Sequence, residues 1–85
     1  TDDIKRATEQ ILKNVENMLS EINLSPKNIV KTTIFTTKLE EFAQINESYE
    51  KFFSKFTNNY PARSTVGVQS LPKGATVEIE FIVEC

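Results

Sequence analysis

The sequence predicts an α+β domain, two helices packed on one face of a mixed β-sheet. Three observations carry this. Apolar residues recur at spacings of three and four over two stretches, and β-branched residues crowd between Ile29 and Thr37. Near the end, Val77, Ile79, Phe81 and Val83 alternate with Glu78, Glu80 and Ile82, the period of a strand with one buried face. The order is α-β-α-β-β, without repeats or low-complexity segments. Laying both helices on one side of a sheet is the natural way to bury their stripes.

Thr1, Asp2 and Asp3 offer capping side chains and negative charge to a helix N-terminus. Behind them Ile4, Ala7, Ile11, Leu12, Val15, Met18, Leu19 and Ile22 form one apolar stripe of about five turns. Lys5, Arg6, Glu9, Lys13 and Glu16 occupy the solvated side, with Glu9 four residues before Lys13. Ser25-Pro26 disfavours helical geometry, so the helix ends near Asn23. Ile29 to Thr37 is a strand. Val30 and Ile34 stand in one register and Ile29 and Phe35 in the other, so both faces of the sheet are expected to be covered there.

The second helix runs from about Leu39 to Phe56, with Leu39, Phe42, Ile45, Tyr49, Phe52, Phe53 and Phe56 as an aromatic stripe that reads as core. Residues 57–61 are a loop and Leu71-Pro72-Lys73-Gly74 a turn. Between them lies a strand over residues 61–68, where Ser64, Val66 and Val68 alternate with Arg63, Thr65 and Gly67. If the valines of both final strands face one core, Arg63 and Glu78 share the opposite face. The helical stripes offer about fifteen apolar side chains, more than three strands can cover. Further strands are therefore expected, from residues ahead of Thr1 or from neighbouring subunits.

Eighty-five residues make one domain, spanning 1–85. So short a chain buries only roughly 60–65% of its unfolded surface, which makes a partner valuable. The net charge is −2 and no basic run occurs, which argues against a nucleic-acid partner. No apolar stretch approaches the ~20 residues that cross a bilayer, and no signal-peptide pattern opens the chain, so no membrane is expected. The single cysteine, Cys85, cannot form an internal disulfide. A reducing compartment follows, the cytoplasm or an organelle such as the mitochondrion. The chain opens on threonine rather than methionine, which suggests a processed or truncated product.

There is no histidine, which removes the usual general base, the commonest metal ligand and every Ser-His or Cys-His dyad. With Gly67 and Gly74 the only glycines, there is no phosphate-binding glycine loop, and no metal is expected. Chemistry is left to carboxylates, lysines, two arginines, two tyrosines and the backbone.

Among these, Arg63 stands at the start of a strand. Its plain reading is an edge arginine with its head in water, and its sharper one an anion clamp, since guanidinium grips carboxylates bidentately. Glu78 and Glu80 read as exposed. In an antiparallel hairpin about residues 71–76, Gln69 would lie opposite Glu78, with Arg63 six residues further along, about 20 Å away. Arg63 and Glu78 of one chain could then not hold one small ligand, whereas Arg63 of one subunit could meet Glu78 of the next. Tyr49 and Tyr60 read as packing and loop residues, Asn46 as a helix-surface amide and Lys31 as solvated. Beside Glu84, Cys85 has nothing to activate it.

Four segments carry a resemblance that runs over the whole chain. They are Ile29-Val30-Lys31-Thr32-Thr33-Ile34-Phe35, Ile45-Asn46-Glu47-Ser48-Tyr49-Glu50-Lys51-Phe52-Phe53, Tyr60-Pro61-Ala62-Arg63-Ser64, and Leu71-Pro72-Lys73 before Val77-Glu78-Ile79-Glu80. In order and spacing they resemble the reactive-intermediate deaminase family, RidA or YjgF, also named L-PSP endoribonuclease. The resemblance implies a chorismate-mutase-like α+β fold in a homotrimer, with sites in clefts between subunits. It implies hydrolysis of reactive enamines and imines, of the 2-aminoacrylate and 2-iminobutanoate type, to 2-keto acids and ammonia, without a cofactor. By position, Arg63 matches the arginine that holds the substrate carboxylate, and Glu78 the acid that orients or activates water. Thr65 stands where many members have cysteine and the backbone N–H meets the ligand. The family's β-hairpin ahead of the first helix has no counterpart here, so an N-terminally truncated form is expected. Two other readings compete. One is a non-catalytic carboxylate-binding or chaperone-like trimer. The other is a ribonuclease or translation inhibitor, which the acidic balance and the lack of a basic patch disfavour.

Overall fold

Both apolar stripes fold as helices and all three β-rich runs as strands in the computed structural model, which describes residues 3–85. Helix α1 covers Asp3–Glu21, β1 Ile29–Thr36, α2 Phe42–Phe53, β2 Ala62–Gly67 and β3 Val77–Val83. The expected caps Thr1 and Asp2 lie outside the described residues; Asp3 places its charge in the first turn of α1. Two residues past the end of that helix the chain turns away at Asn23, whose φ of 63° is left-handed, and the Leu24 N–H reaches back to the Leu19 carbonyl at 2.8 Å. Asparagine tolerates that geometry, and the back-bond satisfies a terminal carbonyl. Its buried stripe is Ile4, Thr8, Leu12, Val15 and Leu19. Thr8 can sit in apolar company because its hydroxyl donates to the Ile4 carbonyl at 2.8 Å.

The second helix is shorter at both ends than its aromatic stripe suggests. Leu39–Glu41 winds as a 3₁₀ turn. After Phe53 the chain tightens, with the Phe56 and Thr57 N–H groups both donating to the Phe53 carbonyl. At the entry, the Thr36 hydroxyl donates to the Thr76 carbonyl at 2.7 Å and accepts the Lys38 N–H at 3.0 Å, which turns the chain out of β1.

The strand order is β2-β1-β3, so the expected hairpin of the last two strands does not form. Instead β1 lies between them, parallel to β2 and antiparallel to β3. The parallel pair needs a long crossover, and α2 supplies it. Residues 68–76 then carry the chain past the end of β1, where the Val68 N–H bonds the Thr36 carbonyl and the Thr37 N–H the Thr76 carbonyl.

Registers assign the faces. Thr32 pairs with Arg63 and Phe81, Ile34 with Thr65 and Ile79, and Thr36 with Gly67 and Val77; these point toward the helices. Lys31, Thr33 and Phe35 pair with Ala62, Ser64 and Val66 on one side and with Ile82, Glu80 and Glu78 on the other, and form the open face. The valine of β2 is therefore on the open face, 41% exposed, and Arg63 and Thr65 hold the helix-facing register. A common face for Arg63 and Glu78 is overturned. The mixed register of β1 has its own cause: Val30 is an extra residue between Ile29, paired with Val83, and Lys31, paired with Ile82. That bulge puts both Ile29 and Ile34 in the core although they are five positions apart. Phe35 is half-buried on the open side.

The core joins Ile4, Leu12, Val15 and Leu19 of α1 to Ile45, Tyr49 and Phe53 of α2, over Ile34, Val77 and Ile79 of the sheet. The surplus of apolar side chains is visible at the edge. Met18 and Ile22 are 66% and 63% exposed, along a groove shared with Phe81 and Val83. Among the described residues, no helix is long and apolar enough to cross a membrane.

Candidate functional site

Arg63 lies on β2, an edge strand, so only one side of its backbone is paired. Its side chain rises on the helix-covered face toward α2. There Phe42 and Tyr49, seven positions apart on that helix, present their rings to it. The guanidinium carbon sits 4.8 Å from the Tyr49 ring centre and 5.5 Å from that of Phe42. Both distances fall within cation–π range. Nη1 of Arg63 is buried and has no hydrogen-bond partner among the described residues. An arginine held against two rings with an uncommitted N–H donor is what an anion clamp requires.

Below it, Thr32 of β1 stands directly opposite Arg63 in the ladder. Its hydroxyl shares a 2.9 Å hydrogen bond with the Tyr49 hydroxyl, and both residues are buried. Burial pushes the Tyr49 phenol above its ordinary pKa, while the Thr32 hydrogen bond and the Arg63 charge oppose that shift. The net rise favours the neutral phenol, a dipole rather than a second charge beside Arg63. Asn46 lies on the same face of α2, four positions after Phe42 and three before Tyr49. Its Oδ1 is also buried without a partner, so it is not the surface amide the sequence suggests. The spacing Phe42, Asn46, Tyr49 is the signal that could have found it.

Thr65 shares the register of Arg63 two positions further along β2 and is half-buried. Glu78 is exposed on the open face, opposite Phe35. From Arg63 it is separated by two strand steps of about 4.8 Å and three residues of about 3.3 Å, about 14 Å in all, and by the sheet itself. One protomer thus sets Tyr49 and Phe42 against Arg63, with Thr65 in the same register of β2 and Asn46 on the same helix as the two rings, and leaves Glu78 out. Lys31, expected in solvent, is half-buried on the open face, and its ammonium donates to the Ser64 hydroxyl at 3.1 Å. Surface grooves between α1 and α2, near Ser48 and Lys51, and between α1 and β3 include none of Arg63, Thr65 and Glu78. No group of three or more acidic or cysteine side chains converges as a metal site among the described residues.

A family model described as Endoribonuclease L-PSP matches residues 1–85. The chain belongs to that family, which is also the RidA/YjgF family. A Salmonella typhimurium relative named 2-iminobutanoate/2-iminopropanoate deaminase is 41% identical over 81 residues, covering 95% of this chain and 63% of its own length. Among solved structures, YyfA of Yersinia pestis, of the Rid protein family, superposes with a TM-score of 0.91 at 44% identity, covering all of this chain and 66% of that one. TdcF of E. coli with bound serine superposes at 0.88 with 40% identity, covering 94% of this chain and 63% of that one. Two helices on a mixed sheet is thus the RidA/YjgF architecture. The chain spans 60–64% of the length of the curated relatives it matches.

Proposed function

We propose that this RidA/YjgF chain serves the hydrolytic deamination of imino and enamino acids of the 2-iminobutanoate and 2-aminoacrylate type, giving 2-keto acids and ammonia. The observation that carries the reading is the Arg63 guanidinium, fixed on Tyr49 and Phe42 with a buried, uncommitted Nη1. The substrate carboxylate docks on Arg63 in a bidentate pair, which sets the imine carbon at a fixed distance beyond it. An enamine first tautomerises to the imine, a proton moving from its nitrogen to its terminal carbon; water then adds to the imine carbon and the imine nitrogen takes up the proton. The resulting carbinolamine expels ammonia and leaves the keto group. Glu78 orients the water, and because it lies behind the sheet from Arg63 of its own protomer, it acts on the Arg63 of a neighbour. The active form is therefore an oligomer with shared sites, which the resemblance to the family makes a homotrimer. A deaminase name on a relative and serine, an α-carboxylate ligand, in a solved neighbour support this reading.

The separation of Arg63 from Glu78 also supports a second reading, a carboxylate-binding protein without turnover. One experiment distinguishes the two. Hydrolysis of freshly generated 2-iminobutanoate is followed for this chain, Glu78→Gln and Arg63→Ala, with the oligomeric mass measured in parallel. Arg63→Ala is expected to lower kcat/KM about a hundredfold or more, as loss of charge-assisted hydrogen bonds does. Turnover retained in Arg63→Ala overturns the deaminase reading. Binding of 2-oxobutanoate without any hydrolysis by the unaltered chain selects the second.

A further inference from the structure

A long arginine stem on an edge strand samples many rotamers, and a ligand that must freeze them binds more weakly for it. Here the freezing is done before any ligand arrives. The guanidinium carbon lies 4.8 Å from the centre of the Tyr49 ring and 5.5 Å from that of Phe42. The ring is itself immobile: Tyr49 is 1% exposed, packs against Phe53 with centres 4.7 Å apart, and is pinned by its hydroxyl to Thr32 at 2.9 Å. Thr32 is the ladder partner of Arg63, so the chain of contacts closes on itself through the sheet. Nothing in packing alone requires the phenol to reach Thr32, since a phenylalanine would fill the same core.

We infer that Tyr49, tethered through Thr32 and assisted by Phe42, is a positioning residue that holds the Arg63 guanidinium ready for a ligand carboxylate. This rests on the carboxylate-binding role of Arg63 given above. The ring does two things. Its π-face stabilises the cation where water is scarce, and its rigidity confines the stem to one rotamer. The hydroxyl serves the ring rather than the ligand. Affinity for a carboxylate should then follow the aromatic face, with the tether as a smaller contribution.

The test measures 2-oxobutanoate affinity by calorimetry and melting temperature for the chain, Arg63→Ala, Tyr49→Phe, Tyr49→Leu, Phe42→Leu and Leu12→Ala. Leu12 is a buried residue of α1, whereas both rings against Arg63 belong to α2, and so it reports what loss of core stability does by itself. Tyr49→Leu is expected to weaken binding about three- to thirtyfold, the range of a cation–π contact. Tyr49→Phe, which restores the ring, should recover most of it, to within about threefold of the unaltered chain. Leu12→Ala should bind normally while melting earlier. If Tyr49→Leu binds as Leu12→Ala does, the positioning role is overturned while the role of Arg63 stands. If Arg63→Ala itself keeps full affinity, the carboxylate reading fails and takes this inference with it. Should Tyr49→Leu not fold, Phe42→Leu decides: weakened binding at normal stability supports the platform, and unchanged binding overturns it.

Discussion

The two faces of the sheet differ in what they do with the same strands. On the helix-covered face Thr32, Ile34 and Thr36 are wholly buried, and the hydroxyls find partners in Tyr49 and the Thr76 carbonyl. On the open face Val66 and Ile82 are 41% and 58% exposed, among Lys31, Glu78 and Glu80. The covered face therefore supplies both the burial that holds the fold and the ring platform that seats Arg63. The open face supplies ladder pairing and little apolar burial. Stability and the candidate site share one side, and Glu78 is stranded on the other.

The sharpest way to break this contrast is Phe53→Ala on the covered side. Phe53 is wholly buried and meets Tyr49, Phe52 and Tyr60 ring to ring. A loss of about 3–5 kcal/mol in urea unfolding is expected, a large part of what a domain of this size has. Thr32→Val comes next. It keeps the shape but leaves the buried Tyr49 hydroxyl without its partner, and about 1–3 kcal/mol should go. By contrast Ile82→Thr, on the open face, should leave the unfolding free energy of the monomeric chain within about 0.5 kcal/mol of its original value. A loss there as large as that of Phe53→Ala would show that the open face carries the fold after all.

The smallest effect belongs to the surface. Glu47 of α2 pairs with Lys5 of α1, and the hydrogen bond from Lys5, then its charge, hold the Glu47 carboxyl below its ordinary 4.5. Because the folded state depresses this pKa, the pair contributes above pH 4.5, and its contribution is lost as pH falls through the depressed value. Glu47→Gln should therefore differ from the unaltered chain near neutrality and converge with it in acid. High salt should erase the difference, since the pair is solvent-exposed. A gap that widened in acid would contradict the pairing.

Much of this was legible in the residues. Period-two alternation placed β3 at Val77–Val83, and the three-and-four spacing placed α1, because those patterns record burial on one side of each element. The neighbourhood of β2 was not legible. Adjacent strands with a turn between them suggest a hairpin, yet the β-branched β1 offers more to bury and takes both as partners. The face of β2 misled for a related reason. Val66 is the apolar residue of that strand, but the helix-facing register belongs to Arg63, whose guanidinium lies over the Tyr49 and Phe42 rings. Asn46 reads as a surface amide and Tyr49 as a core ring, since one-dimensional periodicity records burial and not which buried atom lacks a partner.

The central position of β1 bears on how the polypeptide acquires its shape during synthesis. Emerging early, β1 finds neither of its ladder partners available, because all of α2 must follow before β2 arrives, and β3 comes later still. Its pairings are all distant along the chain, and closing such loops is slow. Until then a threonine- and isoleucine-rich strand with two bare edges is presented to the cell, the kind of segment that chaperones retain and aggregates recruit.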